Sequence, residues 1–309
     1  FLMSTLSIKG NIVPFGLAMV AACVGETVPL IGVYLSAIIG TFIGNGAAAT
    51  GDFVGTSIIY FLLVLFVKTK IAIDERNESV KSGGKLFSAI MIVTAIESYR
   101  SSFNMYDMFM GAINASIVYV FYKIFVNGLA TIRDLNEKKA FTIEELVASV
   151  IIASVAIVAL SGMNVFGVNI SNILTIVLIM SLGWRHGVLV GIVTGVAVGL
   201  SITFVEGISG LELLVYMGSG MVAAILGKLG KVCVVLEIIA VNVLLKYFGN
   251  LSPEIALIIK EATIATVGLL FLPKRVKIDL DEFKEIYNSL LSMYKNERTF
   301  KMKKQNILL

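Results

Sequence analysis

Apolar runs follow one another down nearly the whole chain, at about 12–25, 28–45, 51–67, 85–99, 105–127, 145–162, 169–183, 186–205, 211–227, 231–248 and 253–272. That succession leaves few folds open. A helix needs roughly 20 predominantly apolar residues to cross the hydrocarbon layer of a bilayer. Lipid offers the backbone no hydrogen-bond partner, so a spanning segment must satisfy its own amides and carbonyls. The pattern predicts an all-α fold, a polytopic transmembrane helix bundle of about ten to twelve spans. Charged residues make up only 15% of the 309, against about 25% in a soluble domain. The first run contains Pro14 and is short. It reads either as re-entrant or as continuous with what precedes it.

Charge placement sets an expected orientation. Basic residues collect in alternate loops: Lys68, Lys70, Arg76, Lys81 and Lys85, then Arg133, Lys138 and Lys139, then Arg185, then Lys228 and Lys231, then the C-terminal tail. The intervening loops hold only Arg100 and Lys246. The positive-inside rule places the first set in the cytosol. Residues 274–309 carry nine Lys/Arg and five Asp/Glu, and the rest of the chain has sixteen of each. The net charge of +4 therefore sits in the tail. So short a segment of mixed sign argues against nucleic acid and for the cytosolic membrane surface.

The tail also changes period. Leu280, Phe283, Ile286, Leu290 and Tyr294 recur at three- and four-residue spacings after Pro273, as on one face of an amphipathic helix. Two regions are expected: a multi-span membrane domain over 1–273, and a basic amphipathic juxtamembrane segment over 274–309 that leads to a cytosolic domain. The chain opens at Phe1 and closes on "KKQNILL". We expect that domain after it, and either a further span before it or an early run that does not cross.

Two constellations stand out inside the apolar runs. Gly187, Gly191, Gly195 and Gly199 recur every four residues in "GVLVGIVTGVAVG". They form a slowly drifting stripe on one helix, along which another backbone can approach closely. The stripe suits either an intramolecular crossing or a seam between two copies. A smaller version occurs at Gly40 and Gly44.

The second constellation is Lys260 and Glu261, inside the last apolar run. Adjacent helical residues point about 100° apart, so these two do not face each other. A lone central charge costs about 2.5–3.5 kcal/mol on insertion scales, so each needs a partner elsewhere. Glu237, midway along the preceding run, is the expected partner of Lys260. Ser, Thr and Asn groups on the spans are expected donors to Glu261. As interhelical ties, Glu237, Lys260 and Glu261 hold a scaffold together. As a relay, they would line the path of a small-solute or ion transporter or channel. No matched pair of interrupted spans marks a transport site, and the structural role is preferred.

Asp52, Glu97, Asp107, Glu206 and Glu212 lie near run ends and read as interface charges. Trp184 and Arg185 read as an interface anchor. Cys23 and Cys233 lie in separate apolar runs and read as packing residues, and His186 is the only histidine. No metal site and no catalytic residue is expected. The sequence contains no GxxxxGK[ST], HExxH, GxSxG or CxxC.

Several stretches carry a family resemblance. "PFGLA" at 14–18, "FTIEELVASVIIASVAIVALSG" at 141–162, "GIVTGVAVGL" at 191–200, "GKLGKVCVVLE" and "KEATIATVGLLFLPK" together resemble the multi-span N-terminal region of the stage II sporulation protein E family. Their order and spacing carry the likeness. It implies a bacterial cell-membrane protein with a cytosolic C-terminus, placed at the polar division septum during sporulation. It implies a non-catalytic anchor that supports localisation and self-association. The cytosolic part of such proteins contacts the tubulin-like cell-division protein and ends in a manganese-dependent PP2C-type serine phosphatase. That enzyme dephosphorylates an anti-anti-sigma factor and so activates the forespore sigma factor F. None of its phosphatase residues map onto this chain, and no cofactor is expected in this segment.

Overall fold

The computed structural model describes residues 1–8, 13–24, 29–66, 75–100, 103–134, 142–206, 210–226, 261 and 263–265. Glu237, Lys260, Cys233 and the amphipathic segment 274–309 lie outside the described residues.

The described residues are mostly helical. A 3-10 turn at Leu2–Thr5 precedes α1 (Pro14–Ala22), α2 (Leu30–Phe66), α3 (Glu75–Arg100), α4 (Met105–Arg133), α5 (Ile143–Val158), a short hairpin of β1 (Asn164–Val165) and β2 (Val168–Asn169), α6 (Ile170–His186), α7 (Val188–Glu206) and α8 (Gly210–Leu226). Among the described residues, three helices are long and apolar enough to cross a bilayer: Leu30–Phe66, Met105–Arg133 and, within α7, Val188–Val205.

The first apolar run holds only a short helix. At nine residues, α1 reaches roughly 13 Å, less than half the hydrocarbon thickness. Pro14 occupies its first turn, where a missing N–H costs nothing. Its side chains are nearly all buried. Phe15 is fully enclosed and meets Phe121 of α4 edge-on, with ring centroids 4.7 Å apart.

α2 folds back on itself. Its 37 residues include a non-helical Gly46, with φ 83° and ψ −177°. Tyr34 lies 6.1 Å from Phe53 and 5.6 Å from Phe61 between ring centroids. In one straight helix residues 34 and 61 would be roughly 40 Å apart. The chain therefore reverses at Gly46, a backbone conformation that side-chain-bearing residues rarely adopt. Where the sequence suggests a polar loop in "GNGAAATGD", one glycine joins two helical limbs. The 3-10 turn packs over the reversal, and Asn45 Nδ2 donates to the carbonyls of Ser4 and Thr5 at 3.2 and 3.3 Å.

Local sequence sets the remaining ends. Asn104 caps α4 by accepting from the Tyr106 amide at 3.1 Å. Thr142 and Glu145 form a reciprocal capping box at the start of α5, which stops fraying at a helix end. "GMNVFG" forms the β-hairpin, with Asn164 opposite Asn169 and Val165 opposite Val168. Its two turn residues, Phe166 and Gly167, both have positive φ, as tight hairpins require.

Two apolar cores result. One gathers α1 to α5 around Phe15, Tyr60, Leu86, Phe121 and Phe125. The other joins α5, α6 and α7 around Val158, Ile179, Val190 and Val198. Many large apolar side chains on the outer faces, such as Ile31, Ile43, Phe66 and Phe109, remain exposed. That is the arrangement lipid calls for, since acyl chains are as apolar as the core.

Candidate functional site

Three polar or small-residue features interrupt the apolar packing. The first is the seam between α7 and α8, the most extensive contact between two elements among the described residues. Gly191 faces Gly220, and a Cβ added to either would fall on the other's backbone carbonyl. Added Cβ atoms at Gly195 and Gly199 would meet the Tyr216 carbonyl and Leu213. Three of the four glycines thus lie against α8 within the same chain, where lipid-embedded helices gain from close backbone approach. Gly187 lies apart. It has φ 90°, caps the end of α6 and has open space around it. Its spacing matches the stripe, but it serves the turn into α7. Gly40 and Gly44 seat the N-terminal turn, against Phe1, Ser4 and Thr5.

The second feature is Glu261, which is buried. Its Oε1 accepts from the backbone amide of Asn169 at 3.1 Å, and its Oε2 from Asn172 Nδ2 at 3.0 Å. Asn169 is the N-cap of α6 and the last residue of β2. The carboxylate therefore sits at a helix N-terminus, where unpaired amides and the helix dipole favour negative charge. Both of its oxygens are used within the protein.

The third feature is a cavity of about 490 Å³ between α2, α3 and α4, with Asp52, Thr56, Thr94, Glu97, Asp107 and Asn114 on its polar wall. A hydrogen bond links Glu97 to Asp52, and Arg100 acts on Glu97 through its charge. Sequence reasoning takes these acids singly, as charges at run ends. Only the shared side assigned to their loops by the basic-residue alternation could have grouped them. Their convergence depends on the reversal at Gly46, which brings Asp52 back beside α3. The side chains of Glu206 and Glu212 lie outside the described residues.

Among the described residues, no group of three or more His, Cys, Asp or Glu could hold a metal ion.

Comparison with known proteins gives two matches. The family description "SpoIIE, N-terminal domain" matches residues 1–280. Stage II sporulation protein E of Bacillus subtilis (strain 168) is 23% identical over 224 residues, covering 71% of this chain and 27% of that protein. The chain thus spans about a quarter of the curated relative's length. No solved structure matches. The family match runs from the first residue through the helical membrane region, including the capping box of α5, the glycine seam and Glu261. On that coverage the chain belongs to the SpoIIE N-terminal domain family, the membrane region of a sporulation protein.

Proposed function

We propose that this segment is the non-catalytic membrane anchor of a sporulation serine phosphatase. It holds the enzyme at the polar division septum and supports its self-association. In this reading the C-terminus faces the cytosol. The phosphatase portion carries the manganese, contacts the tubulin-like cell-division protein and acts on the anti-anti-sigma factor, which activates the forespore sigma factor F.

The observation that carries the anchor reading is how Glu261 is held. A relay carboxylate must exchange partners with cargo, whereas both oxygens here are taken by α6 and its N-cap. The family match supports the rest, since it lies in the membrane region of a sporulation protein.

An anchor exchange tests the proposal. Residues 1–309 of the full-length protein are replaced by an unrelated multi-span anchor. The purified hybrid should keep its phosphatase rate within about twofold, since removing an anchor changes no transition-state contact. In sporulating cells it should lose septal placement and sigma factor activation. A hybrid that still reaches the septum and activates the factor would refute the proposal.

A further inference from the structure

We infer that the β-hairpin between α5 and α6 is a lipid-binding tip. It sits among the headgroups and upper acyl chains of the leaflet opposite the basic loops. This goes beyond the septal-anchor reading and does not depend on it. The two flanking helices are too short to clear a bilayer. α5 has 16 residues and carries Glu144 and Glu145 in its first turn. α6 has 17 and ends at Trp184, Arg185 and His186. Helices of that length reach roughly 24–26 Å, short of the ~30 Å of hydrocarbon. No charged residue lies between Glu145 and Arg185. The uncharged stretch 146–184, hairpin included, is no longer than two bare crossings, which take about 40 residues. With both charged ends at one surface, the hairpin must supply the remaining depth and lies at the far boundary of the hydrocarbon.

Glu261 fixes the same depth independently. It lies inside the apolar run 253–272 rather than at its edge. It accepts from the amide of Asn169, the last residue of β2. The base of the hairpin is therefore held at the level of a residue within a span. The hairpin is built for that boundary. Its backbone closes on itself, with Asn164 opposite Asn169 and Val165 opposite Val168. The Ile170 amide donates to the Met163 carbonyl at 3.3 Å, and Asn169 Nδ2 to the Ser161 carbonyl at 2.8 Å. Satisfied backbone groups are what proximity to hydrocarbon demands. Val168 is buried, whereas Met163, Val165 and Phe166 face outward. Phe166 is 98% exposed at φ 53°, a turn position that favours Asn or Gly. No packing among the described residues calls for a ring there. An aromatic ring flanked by apolar side chains is what the interface between headgroups and acyl chains takes up.

The test uses the full-length protein, purified and reconstituted in liposomes of phosphatidylethanolamine and phosphatidylglycerol. The photoreactive residue p-benzoyl-phenylalanine replaces Phe166 in one variant and Val165 in a second. Both side chains are exposed, so neither replacement disturbs a core, and circular dichroism checks that each variant keeps its helices. A third variant carries the probe at Val120, an exposed position in the middle of α4, as the lipid-facing control. After irradiation, mass spectrometry should find phospholipid attached at 165 and 166 in a yield of the same order as at 120. Fragmentation should place the new bond on the upper methylenes of the acyl chain. Lipid attached at 120 but at neither hairpin position would mean that the tip stands in water, and would overturn the proposal. A cross-link from 166 to a second copy of the protein in place of lipid would overturn it equally.

Discussion

Glu261 shows why a carboxylate can persist in an apolar run. Removing it strands two donors, the Asn169 amide and Asn172 Nδ2. Glu261→Leu should therefore cost about 3–5 kcal/mol, read as denaturant-induced unfolding of the purified protein in detergent. Glu261→Gln keeps an acceptor oxygen and should cost less than half as much. Equal stability of the Leu variant and the unaltered protein would remove the structural role. The seam makes a second residue-scale prediction. Gly191→Ala drives a Cβ into the Gly220 carbonyl and should destabilise by about 1–3 kcal/mol. Gly55→Ala has open space and should be neutral or slightly stabilising. If both behave alike in the same unfolding assay, the α7–α8 approach is not as close as described. The sequence already displays the need of Glu261 for a donor, because charge in lipid is costly whatever the fold. It cannot name Asn169, which lies 92 residues away and donates from its backbone. Spacing likewise brings out the glycine stripe but cannot separate Gly187, whose positive φ comes from the turn it occupies.

At the scale of elements, hydropathy reads the helices well and their reversals poorly. Runs 28–45 and 51–67 correspond to the two limbs of α2, because burying or exposing apolar surface in lipid needs no specific partner. The joint between them is conformational. Gly46 alone makes the turn, and composition resembles a loop. Cysteines at Tyr34 and Phe61 should therefore cross-link in the membrane with a short bis-maleimide. Rings 5.6 Å apart leave the two backbones within reach, whereas a straight helix would hold them roughly 40 Å apart. Failure to cross-link, with each single cysteine still labelled, would count against the reversal. The α5–α6 connection teaches the same lesson. "GMNVFG" contains glycine and asparagine and suggests a short loop, while its hairpin depends on positive φ at Phe166 and Gly167, and Phe rarely takes that conformation. The run at 12–25 already reads as short, re-entrant or continuous with what precedes it, and α1 is shorter still at nine residues. Its burial under α4 depends on a tertiary partner, which local hydropathy does not register.

For the whole molecule, the described helices form two adjoining cores with an apolar outer surface. Membrane residence was therefore legible from composition and run length alone. The acidic cavity was not, since Asp52, Glu97 and Asp107 meet only after α2 has reversed and α3 and α4 have packed. The central claim is that this membrane region places its protein rather than carrying a solute. Its most direct test is the distribution of a fluorescent fusion to residues 1–309, imaged through sporulation in cells that lack the native protein. The anchor account predicts signal concentrated at the polar division septum, without help from a phosphatase portion. Uniform labelling of the cell membrane, from a fusion shown to be intact and inserted, would contradict it.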